Sequence, residues 1–262
     1  MKKIKKLPLI LSILSILTFF TSASAEIKVV TSIKPIHSLA SYLMDGVGKP
    51  DLIVDGYASP HGFSMKPSHA KMLQNADIVF WIGEGMENFL EKPLSSIAKK
   101  AEKIELMEIK GLNVLKFRER NIFDEHNHDD HGKEEEHDDH DEHGKKEELD
   151  DHDHDEHDKK EEHDDHDDHE GHAHGEYDSH IWLDPINAKT ILNEMVKHLV
   201  ENDPKNSSIY KDNLEKALKE IDTLTIEVMS ELNKSVSSIV FHDAYQYFEQ
   251  RFNVNILGAF TV

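Results

Sequence analysis

Three histidines share a setting that could hold a metal. His61 sits in Ala58-Ser59-Pro60-His61-Gly62, a loop after a short apolar strand. His180 precedes Ile181-Trp182-Leu183-Asp184-Pro185, a strand-like run feeding a helix. His242 follows Ser238-Ile239-Val240-Phe241, at the carboxyl end of a strand. In α/β folds, ligands collect in the crevice outside those strand ends. Three neutral imidazoles converging there make a tetrahedral zinc site with one position open. An open position permits either reversible capture of the ion or activation of a bound water for hydrolysis. Hydrolysis also needs a general base. The acids adjoining the histidines, Asp184 and Asp243, are better suited to capping a helix or to holding a ligating ring in orientation from behind. His37, two residues after Pro35, is placed to line the mouth of the same cleft and support a ligand from outside, whereas His69 and His198 are expected to face solvent.

The other histidines crowd into one tract. His126, His128, His131, His137, His140, His143, His152, His154, His157, His163, His166, His169, His172 and His174 are 14 of the 20 in the chain. Residues 124–178 also hold 28 acids against 5 lysines, so they carry essentially all of the net charge of -22. The remainder is close to neutral, which argues against a nucleic-acid or anionic-membrane surface. Leu149 is the only aliphatic side chain larger than alanine in the tract, so burial cannot offset the entropy of ordering it. The segment Lys-Glu-Glu-Glu-His-Asp-Asp-His at residues 133–140 recurs in variant form at 145–152 and 159–166, as in a duplicated disordered insert. Such a tract is expected to hold several divalent cations weakly, as auxiliary sites. A metal buffer built on the tract therefore stands beside the three-histidine site as a second reading.

A basic head, an apolar run over residues 7–20 and Ala23-Ser24-Ala25 read as an export signal cleaved near Ala25. The run is about 14 residues, short of the ~20 that span a bilayer. The chain has no cysteine, which excludes disulfides and thiolate ligands. The expected location is the periplasm.

Strand and helix signals alternate before the tract. Residues 27–31, 52–54, 76–82 and 103–109 read as strands, with helices opening at Pro35 and Pro67. This alternation implies a parallel sheet covered by helices. After the tract, Asp184-Pro185 reads as a cap and first helical residue of a helix running to about residue 200. A second, long helix over about 204–234 carries Tyr210, Leu214, Ala217, Ile221, Leu224, Val228 and Leu232 as an apolar stripe. A strand over 238–241, a helix over 244–252 and a strand over 254–257 follow. That unit is too small to fold alone, so either it docks on the first lobe or the sequence is a fragment.

The motifs "SIKPIHSLA", "SPHGFSMKPSHAKMLQNADIVFWIG", "HIWLDP" and "FHDAYQYF", in this order, resemble the zinc-binding periplasmic components of ABC importers, the ZnuA type. The resemblance implies a two-lobed α/β solute-binding fold whose lobes are joined by one long helix, with metal held between them by His61, His180 and His242. Zinc would be the transported ligand. The implied partners are an inner-membrane ABC permease and its cytoplasmic ATPase, with the binding protein monomeric and not an enzyme. Manganese-binding relatives carry a carboxylate where His242 stands, so manganese is the weaker alternative and a zinc hydrolase the weakest. The implied organisation is a signal peptide over 1–25, an α/β lobe over 26–123, the insert over 124–178, a return to the lobe over 179–203, a linking helix over 204–236, and a second lobe begun at 237–262 and incomplete in this chain.

Overall fold

The computed structural model describes residues 26–118 and 176–261. The expected export signal and the histidines of the insert lie outside the described residues. Four parallel strands form the first sheet: β1 (Val29–Thr31), β2 (Asp51–Leu52), β3 (Ile78–Trp81) and β4 (Glu102–Glu105), in the order β2-β1-β3-β4. Every residue of β1 and β3 is buried. That explains why both read as unbroken apolar runs rather than alternating ones, since a central parallel strand is covered on both faces. Helices α1 (Lys34–Leu43) and α2 (Pro67–Asn75) carry a proline within their first turn, where the missing N–H is no loss.

One helix has no counterpart in the expected pattern. Helix α3 (Glu84–Ser96) forms although Gly83, Gly85 and Pro93 punctuate its sequence. Its backbone departs from helical geometry at Glu87 (φ -123°, ψ 58°), so the segment is two helical pieces joined at a kink. The fully buried Glu87 carboxylate accepts the backbone N–H groups of Ile82 (3.1 Å) and Gly83 (3.0 Å), closing the turn out of β3. Loss of solvation pushes this carboxyl up to about 7, with Glu105 adding to the rise and the two N–H bonds opposing it. A folded-state value above the unfolded one contributes stability that is complete at low pH and lost as pH rises through about 7. The variant Glu87→Gln is therefore expected to flatten the fall in melting temperature between mildly acidic and neutral pH, a span on the order of 3 kcal/mol. Thermal melts of the zinc-free protein across that range measure it. An unchanged pH slope would show that the carboxyl is ionised throughout.

Strand β4 is shorter than the expected 103–109, because the chain leaves the sheet edge after Glu105 and turns through a single 3₁₀ turn at Leu106–Glu108. Helix α4 (Pro185–Asn202) starts as its sequence implied, with the Asp184 side chain accepting the N–H of Ile186 at 2.9 Å. The long helix α5 (Ser207–Glu231) begins after a 3₁₀ turn at Pro204–Asn206 and has 25 residues, about 37 Å of rise. Its first half packs on the lobe through Tyr210, Ala217, Leu214 and Ile221. Asn213 fastens it by donating to the carbonyls of Leu43 (3.0 Å) and Asp45 (2.9 Å). Beyond that point Leu224, Ile226 and Met229 are exposed. No helix among the described residues is long and apolar enough to cross a membrane.

The last unit is β5 (Ser237–His242), α6 (Gln246–Phe252) and β6 (Asn255–Thr261), two parallel strands joined by a helix. It docks on the first lobe, one of the two outcomes that its size left open. Tyr247 is buried, donating its hydroxyl to the Asp178 carbonyl (2.6 Å) and accepting the Leu115 N–H (3.1 Å). Arg251 grips Asp184 with two bonds of 2.7 Å each. Arg118 pairs with Asp243 at 3.0 Å and with Glu249.

Candidate metal centre

Each of the three histidines is positioned by a different local device. His61 lies in a 3₁₀ turn, Pro60–Gly62, opened by proline and capped by the Ser59 hydroxyl, which accepts the His61 N–H at 3.3 Å. The turn leaves its ring exposed at the mouth of a cleft. His180 is buried, with the Asp178 carboxylate on two of its groups: the ring Nδ1 at 2.7 Å and the backbone N–H at 2.9 Å. The stretch after it is a 3₁₀ turn, Ile181–Leu183, and not the strand that its apolar residues suggested. His242 is the last residue of β5, so the register of the second sheet aims it at the first lobe.

The three converge. One ring nitrogen from each lies within 4.8 Å of the other two. The ring centroids stand 5.9 Å (His61–His180), 5.5 Å (His61–His242) and 5.2 Å (His180–His242) apart. Zinc–nitrogen bonds are about 2.0–2.1 Å, so small ring rotations would bring three nitrogens onto one ion. The surrounding cleft has a volume of about 880 Å³ and is walled by Val54, Pro60, Phe117, Trp182 and Phe241. Such apolar walls lower the local dielectric and strengthen each metal–ligand bond.

The remaining expectations fare differently. Asp184 caps α4 and pairs with Arg251. Asp243 also lines the cleft, but its carboxylate is held by Arg118. His37 is not at the cleft mouth. Its Nε2 donates to the Pro50 carbonyl at 3.1 Å and its Nδ1 faces the Ser41 hydroxyl at 3.4 Å, tying α1 to the entry of β2. His69 is buried rather than solvent-facing: it stacks on Phe63 at 5.3 Å and accepts the Lys66 N–H at 3.1 Å. Burial, and secondarily Lys66, hold its protonation below the ordinary imidazole range. His198 is largely covered too, between Glu102 and Glu194.

Asp178 escaped the sequence reading because its acidic neighbours placed it inside the insert. Glu176 to Asp178 in fact belong to the folded lobe: Lys116 and Tyr177 pair as an antiparallel bridge, and Asp178 is buried. The available signal was its position two residues before His180. A carboxylate on Nδ1 fixes the tautomer and leaves Nε2 for a metal. Replacing it in Asp178→Asn should weaken zinc binding roughly 10- to 100-fold, the usual effect of losing an outer partner. A chelator-competition titration would show this, and unchanged affinity would mean that packing alone orients the ring.

A parallel α/β lobe, a long helix and a second strand–helix–strand unit sharing one cleft with the first define an α/β solute-binding protein of the two-lobed kind. The family described as zinc-uptake complex component A, periplasmic (ZnuA) matches residues 29–262, and the chain belongs to that family. It is 46% identical over 236 residues to the high-affinity zinc uptake system protein ZnuA of Brucella abortus (strain 2308), covering 89% of this chain and 67% of that protein. It is 33% identical to the protein of the same name from Yersinia pestis, covering 93% of this chain and 68% of the other. The chain thus spans about two thirds of the length of these relatives. Its fold matches a crystal structure of ZnuA with a TM-score of 0.61 at 20% identity, over 88% of this chain and 69% of that one. It also matches Zn(II)-bound AdcA from Streptococcus pneumoniae with a TM-score of 0.59 at 16% identity, over 88% of this chain and 39% of that one.

Proposed function

We propose that the protein captures zinc ion in the periplasm and passes it to an ABC permease driven by a cytoplasmic ATPase. The observation that carries this reading is the convergence of His61, His180 and His242 in a cleft shared by both lobes. Membership of a periplasmic zinc-uptake family supports it. Three imidazole nitrogens favour zinc over manganese, which prefers oxygen donors. Capture and hand-over make and break no covalent bond, and the two acids that line the cleft, Asp243 and Glu176, are paired with Arg118 and Lys116 rather than placed to activate a water. The protein would act as a monomer, reaching the periplasm after cleavage near Ala25. Equilibration of the purified mature chain with zinc against a competing chelator tests the reading. One saturable tight site is the expected result, and its absence would overturn the proposal.

The insert supplies a separate expectation. A tract whose composition cannot build a core must be ordered as it takes up an ion, which subtracts from the binding energy, so its sites are expected to be weaker than a preformed cleft. Deleting residues 125–175, which keeps the Lys116–Tyr177 bridge, should reduce the number of zinc ions bound and leave the tightest one nearly unchanged. A solved ZnuA deletion mutant with zinc bound shares the fold, with a TM-score of 0.61. Loss of the tight site from a still-folded deletion protein would move the function to the insert and favour the buffer reading.

A further inference from the structure

A second constellation of metal-ligating groups lies at the opposite end of the sheet from the histidine cleft. Glu102 opens β4, and His198 and Glu201 stand on the last turns of α4. One ligand atom from each lies within 4.8 Å of the other two. The His198 ring is fixed on three sides. Its Nδ1 meets Glu102 Oε1 at 2.8 Å, its Nε2 meets Glu194 Oε1 at 3.3 Å, and its plane stands edge-on to Phe80 of β3. Glu102 is oriented in turn by Asn202, whose Nδ2 donates to Oε2 at 2.7 Å.

The charge at this spot is unbalanced. Three carboxylates, Glu102, Glu194 and Glu201, surround one imidazole. Lys197 answers only Glu194, at 2.6 Å. Glu201 has no hydrogen bond or ion pair among the described residues, yet its carboxylate stands beside that of Glu102. Two like charges so close repel, and a divalent cation between them would turn that repulsion into attraction. Nitrogen and carboxylate oxygen together suit a borderline cation such as Zn(II) or Mn(II).

We propose that Glu102, His198 and Glu201 form a second divalent-cation site, weaker than the cleft, that clamps the start of β4 to the end of α4. It does not depend on the cleft reading, since no residue is shared. The cation replaces one of the carboxylate contacts of His198 with a bond to a ring nitrogen, while Asn202 keeps Glu102 turned toward the ion.

Mn(II) is the probe, because a paramagnetic ion broadens nearby amide resonances whatever else the chain binds. The full mature chain is first loaded with zinc at its tight site and then titrated with Mn(II), with amide NMR as the readout. Amides of Lys103 and of residues 197–202 are expected to broaden at low Mn(II), as a group separate from any at the insert. In Glu201→Gln, whose exposed position leaves folding intact, the Mn(II) needed for the same broadening should rise about tenfold, since affinity at oxygen-bearing sites follows ligand charge. Glu102→Gln should act alike. Resonances around His198 that keep their intensity while the insert broadens would overturn the proposal. Equal broadening in wild type and both variants would overturn it as well, by placing the ion elsewhere.

Discussion

His61→Ala is expected to weaken the tightest zinc site by well over the ~100-fold that accompanies loss of an outer partner, because it removes one of the three proposed ligands. The same loss is expected for His180→Ala and His242→Ala. The three substitutions differ in what else they disturb. His61 is exposed in a short turn, so its removal leaves the core intact and gives the cleanest measurement. His180 is buried against Asp178, and alanine there leaves a buried carboxylate with only a backbone N–H to satisfy it. That change should lower the melting temperature as well as the affinity. His37→Ala is the control, since its ring binds the Pro50 carbonyl and touches no part of the cleft. Competition against a zinc chelator, with melts run in parallel, reads both quantities. Equal losses from His37 and the three cleft histidines would refute the assignment.

Zinc affinity should collapse on acidification more steeply than for any single-group titration. A metal takes only neutral imidazole, and imidazole ordinarily gains its proton near ~6.5. Protons therefore compete with the ion, and with three imidazole ligands the fall in affinity on acidification can approach ~1000-fold per pH unit. This dependence runs opposite to that of Glu87, whose burial makes the fold itself more stable toward low pH. The two are separable by measuring zinc binding and zinc-free melting on the same samples. Calorimetric titration across the mildly acidic range tests the first. Affinity that holds steady from about pH 7 to 5 would mean that carboxylates, with ordinary values near ~4, hold the metal.

Much of the scaffold was readable because local chemistry and global fold agree. β-branched and aromatic runs mark β1 and β3, and Asp184-Pro185 marks the start of α4. His242 ends a strand, as the pattern of its neighbours implied. The failures are equally specific. Helix α3 was invisible because two glycines and a proline outvote its weak apolar period, and a buried carboxylate that holds its kink is not a propensity signal. The run after His180 is apolar because Ile181 is buried in the hydrophobic core, not because it pairs with a strand. His69 and His198 have polar sequence neighbours, but Phe63 from the loop before α2 covers the first and Phe80, distant in sequence, meets the second.

The sequence by itself determined which side chains carry metal-ligating chemistry, where the central strands lie, and that one acidic tract lacks the apolar side chains for a core. These properties depend on side-chain chemistry and on neighbours a few residues away. Only the tertiary structure decided that three histidines spread over residues 61 to 242 meet within 4.8 Å. It also decided that Asp178 orients one of them, while Asp184 and Asp243 are drawn off to Arg251 and Arg118. Each of those choices is a competition between partners far apart in the chain. Which carboxylate pairs with which cation follows from how α6 docks beside the cleft, and docking is set by burying Tyr247 and satisfying its hydroxyl. No local pattern encodes that outcome, because the free energy that selects it exists only once the two lobes are in contact.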